Sequence, residues 1–178
     1  YINGNTVVGG LFGDTFDINI FQSHANANVD GVGTVGGLVG YSRADIYDSY
    51  FDGNVFGVGY HVGGLAGYST RNVFNSYATG AVAGNFWVGG LLGSTDGNTS
   101  NCFANSTVIG EDYAAGLISR FAGGFIEDSY FDGNVYGTNY AGGLVSVCWG
   151  TVERSYYNLD SVRINDSISN DRFGIYNT

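Results

Sequence analysis

Apolar and polar residues alternate along most of the chain, and a glycine-rich phrase interrupts the alternation at regular intervals. The phrase reads VGGLVGYS at 35–42, VGGLAGYS at 62–69 and VGGLLGS at 88–94, and looser copies surround three further leucines. The leucines that mark the six copies are Leu11, Leu38, Leu65, Leu91, Leu117 and Leu144. Successive marker leucines lie 26 or 27 residues apart. A period this regular indicates a repeat architecture.

Each repeat contains three arcs that recur in the same order. These are the glycine–leucine phrase, an alternating segment such as IYDSY at 46–50, and a valine five residues after the aromatic residue, as at Val55. Alternation at period two is typical of strands, and no stretch keeps helical spacing. Three short strands joined by glycine corners account for the length of a repeat. We therefore predict an all-β, single-stranded parallel β-solenoid of about six rungs, each of 26–27 residues and spaced about 4.8 Å apart.

Stacking the repeats in register aligns equivalent residues into columns. One column is aromatic: His24, Tyr50, Tyr77, Phe103, Tyr130 and Tyr156; the next is Val29, Val55, Val82, Val108 and Val135. We predict that both columns face the interior, so that their neighbours face solvent. The resulting contact surface of exposed aromatic residues comprises Phe21, Tyr47, Phe51, Phe56, Phe74, Phe131 and Tyr136. A slip of this phase at a corner would instead place some of them in the core.

The repeats run nearly end to end, so residues 1–178 are predicted to form one domain. Residues 162–178 contain no seventh glycine–leucine phrase. We interpret them as a C-terminal cap or as an exchangeable tail that is available to a neighbouring copy. At the other end, residues 1–8 lead almost at once into the first phrase and offer little to cover the first rung. The start at Tyr1 indicates a mature or trimmed segment.

The charge balance excludes several classes of partner. The formal net charge is −10, from 16 acidic and 6 basic side chains. Such a chain repels nucleic-acid backbones and anionic membrane surfaces. No apolar run approaches the roughly 20 residues that a membrane span needs, so the chain is not expected to be membrane-embedded.

The residues that could carry chemistry are few and scattered. Cys102 and Cys148 lie at different points of repeats that are two apart, which is too far for a bridge in a stack. We interpret them as small core residues, with an intermolecular disulfide as the alternative. His24 and His61 are too distant to complete a zinc site with them. No metal or cofactor is predicted.

Acidic residues recur at equivalent positions but not in adjacent repeats. Asp48 pairs with Asp128, and Asp52 with Asp132, each three rungs apart, or about 14 Å at the spacing of stacked strands. Glycoside cleavage needs two carboxylates about 5 to 9.5 Å apart. We therefore predict that the chain is not an enzyme.

Three sequons make Asn98, Asn105 and Asn165 candidate glycosylation sites.

The order VGGLVG, then I-x-DSY, then G-x-V-x-G closely resembles the GLUG motif repeat. Repeats two and three match it nearly position for position, repeat four matches well, and the others match in part, so that the resemblance covers roughly residues 7–161. It implies an extracellular setting, because such repeats occur in large surface proteins, adhesin-like proteins and some secreted peptidases as stalk or binding modules. It carries no catalytic residue to transfer to this chain.

Together these features predict a non-enzymatic structural protein at the cell surface, a subunit of a self-assembling filament or stalk. Its partner would be a second copy, joined through the solenoid ends. The first alternative is an adhesin module that binds surface glycans or a host or cell-surface protein through the exposed aromatic rows. The second alternative is an accessory domain of a secreted hydrolase whose catalytic part lies outside this chain.

Overall fold

A computed structural model describes residues 1–158 of the chain. The tail from 162 to 178 and the candidate acceptor Asn165 lie outside the described residues. The described chain contains 26 strands and no helix, so the all-β prediction is confirmed.

The strands follow one another in six rungs, preceded by a leading strand β1 (Ile2–Gly4). Rung one contains β2 (Val7–Gly9), β3 (Phe12–Phe16), β4 (Ile20–Phe21) and β5 (His24–Gly31). Rung two contains β6 (Thr34–Gly36), β7 (Val39–Arg43), β8 (Ile46–Tyr47) and β9 (Tyr50–Gly57). Rung three contains β10 (His61–Gly63), β11 (Ala66–Ser69), β12 (Val73–Phe74) and β13 (Tyr77–Gly84).

Rungs four to six repeat the same order. Rung four contains β14 (Val88–Gly89), β15 (Leu92–Thr95), β16 (Thr99–Ser100) and β17 (Phe103–Gly110). Rung five contains β18 (Tyr113–Ala115), β19 (Ile118–Phe121), β20 (Phe125–Glu127), β21 (Tyr130–Phe131) and β22 (Asn134–Gly137). Rung six contains β23 (Tyr140–Gly142), β24 (Val145–Cys148), β25 (Thr151–Glu153) and β26 (Tyr156–Tyr157).

Equivalent strands of successive rungs pair in parallel and build four sheets along the solenoid. Sheet A follows the order β1-β5-β9-β13-β17-β21-β26, with β22 also paired to β17. Sheet B is β2-β6-β10-β14-β18-β23, sheet C is β3-β7-β11-β15-β19-β24, and sheet D is β4-β8-β12-β16-β20-β25. Sheets A, B and C carry the three strands per rung that the periodicity predicts, and sheet D adds a short fourth strand. The parallel β-solenoid of six rungs is confirmed.

The interior consists of stacked apolar columns, one or two from each sheet. The marker leucines from Leu38 to Leu144 are fully buried, and so is the valine column from Val29 to Val135. Leu11 of rung one is 46% exposed, because no rung precedes it in the structure. Of the two columns predicted to face the interior, the valine column therefore lies in the core.

The aromatic column is the exception, and its predicted orientation is wrong. Phe51 and Phe131, which we expected on the surface, are 0% and 1% exposed. Tyr50 and its equivalents lie on the outer face of sheet A. The reason is parity: β9 runs unbroken from Tyr50 to Gly57, so residues five apart face opposite sides. Val55 faces inward, and Phe51 therefore faces inward with it.

The corner before each long strand of sheet A is made by a residue that is not glycine. The polar column two residues before the six aligned rings adopts positive φ in every rung: Gln22, Asp48, Asn75, Asn101, Asp128 and Arg154, at 44° to 52°. Asparagine and aspartate tolerate this left-handed conformation better than other residues with side chains. The column also bonds between rungs, as from Asn75 Nδ2 to Asp48 Oδ1 at 3.0 Å.

A buried serine follows this corner and ties neighbouring rungs together. Ser129 Oγ donates to the Glu127 carbonyl at 2.8 Å and accepts from the Cys102 N–H at 3.1 Å. The same two bonds recur from rung to rung, at Ser49, Ser76 and Ser155. Each hydroxyl thus closes its own corner and satisfies a backbone donor of the preceding rung.

Cys102 occupies the serine position in rung four. Its Sγ donates to the Ser100 carbonyl at 3.2 Å and accepts from the Ser76 N–H. Burial raises the pKa of this thiol to about 12. Both cysteines are free, Cys102 buried and Cys148 half-buried, so the interpretation of Cys102 as a small core residue is confirmed.

Replacing Ser129 with alanine is expected to lower the free energy of unfolding by about 1–3 kcal/mol, because it leaves the buried Cys102 N–H without an acceptor. Cys102→Ser is the matched variant, since a hydroxyl there restores the serine ladder, and it should be neutral or stabilising. Equilibrium urea unfolding measures both. Equal stability of Ser129→Ala and the wild type would contradict the role assigned to the ladder.

The glycine pair of the repeated phrase is needed for close approach and not for positive φ. A Cβ on Gly37 would lie 2.1 Å from the Gly64 carbonyl oxygen and 2.3 Å from the Phe51 ring. A Cβ on Gly116 would likewise lie 2.2 Å from the Phe131 ring. The missing side chains therefore let successive rungs approach and make room for the two buried rings.

Candidate functional site

The outer face of sheet A carries a continuous stack of six rings, one from each rung. This six-ring ladder consists of His24, Tyr50, Tyr77, Phe103, Tyr130 and Tyr156. Successive centroids are 4.6–5.5 Å apart and the ring planes are within 9° of parallel. The spacing equals the separation of stacked strands, so each ring lies directly over the next.

A second, shorter stack lies around the corner on sheet D. Phe21 stacks on Tyr47 at 4.9 Å and 5°, and Tyr47 meets Phe74 at 5.4 Å and 30°. Phe21 is 56% exposed, and the other two are half-buried. These three predicted contact residues are therefore brought together on one surface.

The remaining predicted contact residues are not brought together. Phe56 and Tyr136 are 49% and 38% exposed on the outer face of sheet A. Three rungs separate them in a column that continues through Ala83 and Ile109. Phe51 and Phe131 belong to the core, as described above. The predicted surface is thus divided between two sheets and is smaller than the sequence suggested.

Stacking decides what these rings can do chemically. A ring in the middle of the ladder has both faces covered by its neighbours and presents only its edge to solvent. A planar ligand or a sugar ring needs an open face to stack on. In the described chain, open faces remain at the ladder ends, at His24 and at Tyr156. The ladders therefore stabilise the contact between rungs, and their ends are suited to receiving a further ring.

A third group of aromatic residues lies where the chain turns into sheet B, and sequence reasoning missed it. Trp87 stacks on Tyr113 at 4.0 Å, and Tyr113 stacks on Tyr140 at 4.7 Å. Phe86 meets the edges of Trp87 and Tyr113, and Tyr60 lies beside Phe86 at 5.7 Å. Tyr60 and Tyr140 are 69% and 56% exposed. We call these five residues the Trp87 cluster; a search for aromatic residues just before each glycine pair would have found it.

Beside this cluster, His61 forms a half-buried polar contact with sheet C. Its Nδ1 lies 2.7 Å from Ser94 Oγ, and its ring stacks on Tyr68 at 5.0 Å. Tyr68 donates to Asp96 Oδ2 at 2.5 Å, and Arg120 pairs with the other oxygen of Asp96 at 3.4 Å. Burial, and to a lesser extent the bond to Asp96, raises the pKa of Tyr68 to about 12. Ser94 is fully buried, and His61 is half-buried.

The free energy of unfolding is expected to fall as the pH is lowered, because His61 is half-buried in this contact. Burial, with a smaller contribution from Arg120, lowers the pKa of His61 to about 4 from its ordinary 6.5, against the opposing effect of Asp96. The unfolded chain therefore binds the proton first, and the stability that His61 contributes is present above pH 6.5 and is lost as the pH falls through about 4.

Thermal unfolding between pH 7 and pH 4 tests this prediction. The His61→Gln variant should lose part of the pH dependence. His24→Gln is the matched control, because His24 is exposed on another sheet. If the melting temperatures of both variants depend on pH as the wild type's does, the burial of His61 does not cause that dependence.

The acidic residues considered for catalysis are bonded within their own columns. Arg154 Nε lies 2.7 Å from Asp128 Oδ1 and lowers the pKa of that carboxyl. Thr79 Oγ1 donates to Asp52 Oδ1 at 2.7 Å, and Asn158 Nδ2 donates to Asp132 at 3.2 Å. Residues 1–158 contain no group of three His, Cys, Asp or Glu residues placed to hold a metal ion.

The two described sequons differ in accessibility. Asn98 is half-buried, and its Oδ1 accepts from the Phe125 N–H at 3.1 Å. Asn105 is exposed on the outer face of β17. Of the two, Asn105 is therefore the better placed to carry a glycan.

The first-rung edge is the other prominent surface. β2, β3 and β4 are terminal strands of sheets B, C and D, whereas β1 covers part of sheet A by pairing with β5. Apolar side chains are exposed along this edge: Leu11 46%, Phe12 40%, Phe16 62% and Ile18 74%. An apolar cavity of about 280 Å³ opens there, lined by Phe12, Asp14, Thr15, Phe16, Ile18, Asn19 and Ile20. An unpaired edge with exposed apolar groups is a site for strand pairing.

The fold defines the chain as a parallel β-solenoid repeat protein. The GLUG motif matches residues 58–83, which lie mostly in rung three, so the predicted resemblance to GLUG repeats is confirmed. A comparison with curated proteins finds no match.

One solved structure has a similar fold: a "putative immunoglobulin A1 protease" from Bacteroides ovatus, with a TM-score of 0.69 and 18% identity. The similarity covers 94% of this chain and 64% of that protein, so the chain spans less than two thirds of its length. At this identity the two share a fold, and a shared function does not follow. Within residues 1–158 there is no helix long and apolar enough to cross a membrane.

Proposed function

We propose that the chain is a non-enzymatic structural module of an extracellular surface protein, and that its solenoids stack end to end into a filament or stalk. The observation that carries the proposal is the first-rung edge, where three sheets end together beside exposed apolar side chains. The extracellular setting is supported by the GLUG motif, which is associated with extracellular proteins.

Backbone geometry favours another rung as the occupant of this edge. Inside the solenoid, the Leu38 carbonyl accepts the N–H groups of both Leu11 and Phe12, at 2.9 and 3.1 Å. Within the described chain, the equivalent carbonyl of Leu11 has no such donors. A preceding rung would supply these N–H donors. Its strands would also pair with β2, β3 and β4, and its side chains would cover Phe12 and Phe16.

The ring ladders favour the same occupant. A further rung that continues the columns would stack a ring on His24 and another on Phe21, at the spacing already present in the solenoid. Each aromatic pair adds about 0.5–1.5 kcal/mol beyond its buried area. Aromatic stacking would therefore stabilise most an occupant whose rings align with the columns, as those of another rung of this repeat would.

Negative-stain electron microscopy of the purified chain across a concentration series tests the proposal. We expect fibres that become more abundant with concentration. Ile18→Asp should suppress them, because it places a charge on the first-rung edge. The matched control is Ile109→Asp, which changes a residue that is 50% exposed on the lateral face of sheet A and should leave the fibres intact.

Two results would overturn end-to-end assembly. Discrete particles at every concentration would mean that the rung that covers the edge does not come from a second copy. Fibres that survive Ile18→Asp but are lost in Ile109→Asp would mean that the contact is lateral.

The second candidate function is ligand binding by an adhesin-like module, favoured by the Trp87 cluster with its exposed Tyr60 and Tyr140. A glycan screen monitored by tryptophan fluorescence tests it, with Tyr140→Ala as the variant expected to lose binding. The fold shared with the Bacteroides ovatus protein supports a role as an accessory domain of a secreted hydrolase. No feature of residues 1–158 adds support to that role.

A further inference from the structure

We propose that a polar cavity at the corner between sheets C and D binds one neutral hexose unit of a glycan. The cavity has a volume of about 290 Å³, near the lower end of the range for small-ligand pockets. Its polar lining comes from rungs one to three and consists of Asp17, Asn19, Arg43, Asp45, Arg71 and Asn72. The inference goes beyond the proposed assembly, because the site lies within a single copy of the chain.

The corner of rung one is one residue longer than that of rung two. Three residues separate Thr15 from Asn19. Only two separate their partners in rung two, Ser42 and Asp45. Asp17 lies in the longer corner with φ of 53°, a conformation that aspartate tolerates better than most residues with side chains. The extra residue therefore adds a carboxylate to the lining of the cavity.

Two asparagine side chains supply hydrogen-bond donors to the cavity. Asn19 Oδ1 accepts from the Asp45 N–H at 3.1 Å. Asn72 Oδ1 accepts from the Asn98 N–H at 3.0 Å, so each oxygen is engaged with the next rung. Within residues 1–158, the Nδ2 groups of Asn19 and Asn72 have no hydrogen-bond partner. Each side-chain amide therefore keeps two N–H donors for a ligand.

Arg71 and Asp17 add a charged donor and a charged acceptor that are both unpaired. The other three arginines of the described chain each pair with a carboxylate, whereas Arg71 forms no ion pair there. Its side chain is exposed and carries five N–H donors in a planar fork. The Asp17 carboxylate likewise has no hydrogen-bond or ion-pair partner among residues 1–158. The cavity thus offers free acceptors beside free donors.

The carboxylate of Asp45 is held in a fixed position. Its Oδ1 accepts from the Asn72 N–H at 2.9 Å, and its Oδ2 accepts from the Tyr47 hydroxyl at 3.1 Å. Each carboxylate oxygen can accept a second hydrogen bond. Because the side chain is already ordered, a ligand that bonds to it loses little affinity to the ordering of the site.

The charges around the cavity favour a neutral ligand. Two arginines and two aspartates line it, so their formal charges cancel at pH 7. An anion would lie beside Asp17 and Asp45, and a cation beside Arg43 and Arg71. The net charge of −10 further disfavours an acidic glycan. A sugar hydroxyl both donates and accepts, so a hexose can bond to the amide and guanidinium donors and to the carboxylate acceptors together.

Saturation-transfer difference NMR on the full chain tests the inference, since it detects a ligand on single copies and on fibres alike. The probes are the methyl glycosides of glucose, galactose, mannose and N-acetylglucosamine, with glucuronate as the charged comparison. We expect saturable binding of at least one neutral glycoside and weaker binding of glucuronate.

Two variants and one control locate the site. Arg71→Ala should weaken binding about tenfold or more, the scale of lost hydrogen bonds to a charged group. Asp17→Asn should also weaken it, and asparagine keeps the tolerance for positive φ that this corner needs. Arg120→Ala is the matched control, because this arginine pairs with Asp96 in rung five, outside the cavity, and should leave binding unchanged.

The outcomes separate this inference from the proposed functions. Wild-type affinity in Arg71→Ala, or no saturable binding of any neutral glycoside, would overturn the site. Binding that is lost in Tyr140→Ala but kept in Arg71→Ala would place the ligand at the Trp87 cluster instead. Tighter binding of glucuronate would contradict the neutral ligand class. Arg71→Ala should form fibres as the wild type does, so failure of the sugar site and failure of end-to-end assembly are measured independently.

Discussion

Replacing Phe51 with alanine is expected to lower the free energy of unfolding by about 3–5 kcal/mol. The ring is 0% exposed and lies under the Gly37 backbone, so truncation leaves a cavity that the rigid rungs cannot close. Equilibrium unfolding in urea, followed by circular dichroism, measures the loss. We expect the midpoint to move to lower urea concentration without a change in slope.

Tyr50→Ala is the matched control, because it removes a neighbouring aromatic residue from the opposite face of the same strand. Tyr50 is half-buried and stacks on His24 and Tyr77, both at 4.8 Å. Its loss removes two aromatic pairs and should cost about 1–3 kcal/mol. A larger effect for Tyr50→Ala than for Phe51→Ala would mean that the two faces of β9 are reversed.

The second large effect is expected for Gly37→Ala, which should cost about 3 kcal/mol or prevent folding. The added methyl group would lie 2.1 Å from the Gly64 carbonyl oxygen and 2.3 Å from the Phe51 ring. Neither group can move without disturbing the next rung. Gly123→Ala is the control, since a Cβ there meets no atom within 4 Å, and its effect should stay within about 0.5 kcal/mol.

Combining Gly37→Ala with Phe51→Ala separates the two contacts. The ring contact disappears in the double variant, but the contact with the Gly64 carbonyl remains. The cost of Gly37→Ala should therefore be smaller in the Phe51→Ala background but still measurable. A complete rescue would mean that the glycine serves the ring alone and that the rungs themselves could tolerate a methyl group.

The rung length and the stacking order could be predicted from the sequence because both follow from periodicity. The marker leucines from Leu38 to Leu144 are buried where the repeat places them, and so is the valine column of Val29, Val55, Val82, Val108 and Val135. Identical residues recur at equal intervals only if their environments also recur. The parallel pairing follows directly, since each rung must lie on the one before it.

The sequence could not predict which way the aromatic column faces, because that depends on which residue forms the corner before the long strand of sheet A. A corner at Gly53 would let Tyr50 and Val55 face the same side. The chain instead turns at Asp48, which has φ of 48°. Aspartate indicates such a turn only weakly, whereas glycine indicates it strongly. The corner nevertheless lies at Asp48, and Gly53 lies within the strand.

The candidate surfaces were only partly predictable for a related reason. Sequence columns identified Phe21, Tyr47 and Phe74 as neighbours, and the stacking of their rings confirms that arrangement. Three members of the Trp87 cluster, Trp87, Tyr113 and Tyr140, share a column just before the glycine pairs, which sequence reasoning missed. The first-rung edge was anticipated from the short N-terminal segment, but its cavity depends on how Phe16 and Ile18 leave the sheet.

The uniform register between rungs has a consequence for how such a chain can change in evolution. Each rung meets its neighbours through the same columns, the same corner and, except at Cys102 in rung four, the same serine bond. A duplication or deletion of one whole repeat in the gene would therefore lengthen or shorten the rod while every remaining interface stayed intact. An insertion of half a repeat would misalign all four sheets at once. Length is thus a trait that this architecture can vary in steps of one repeat while the remaining interfaces stay unchanged.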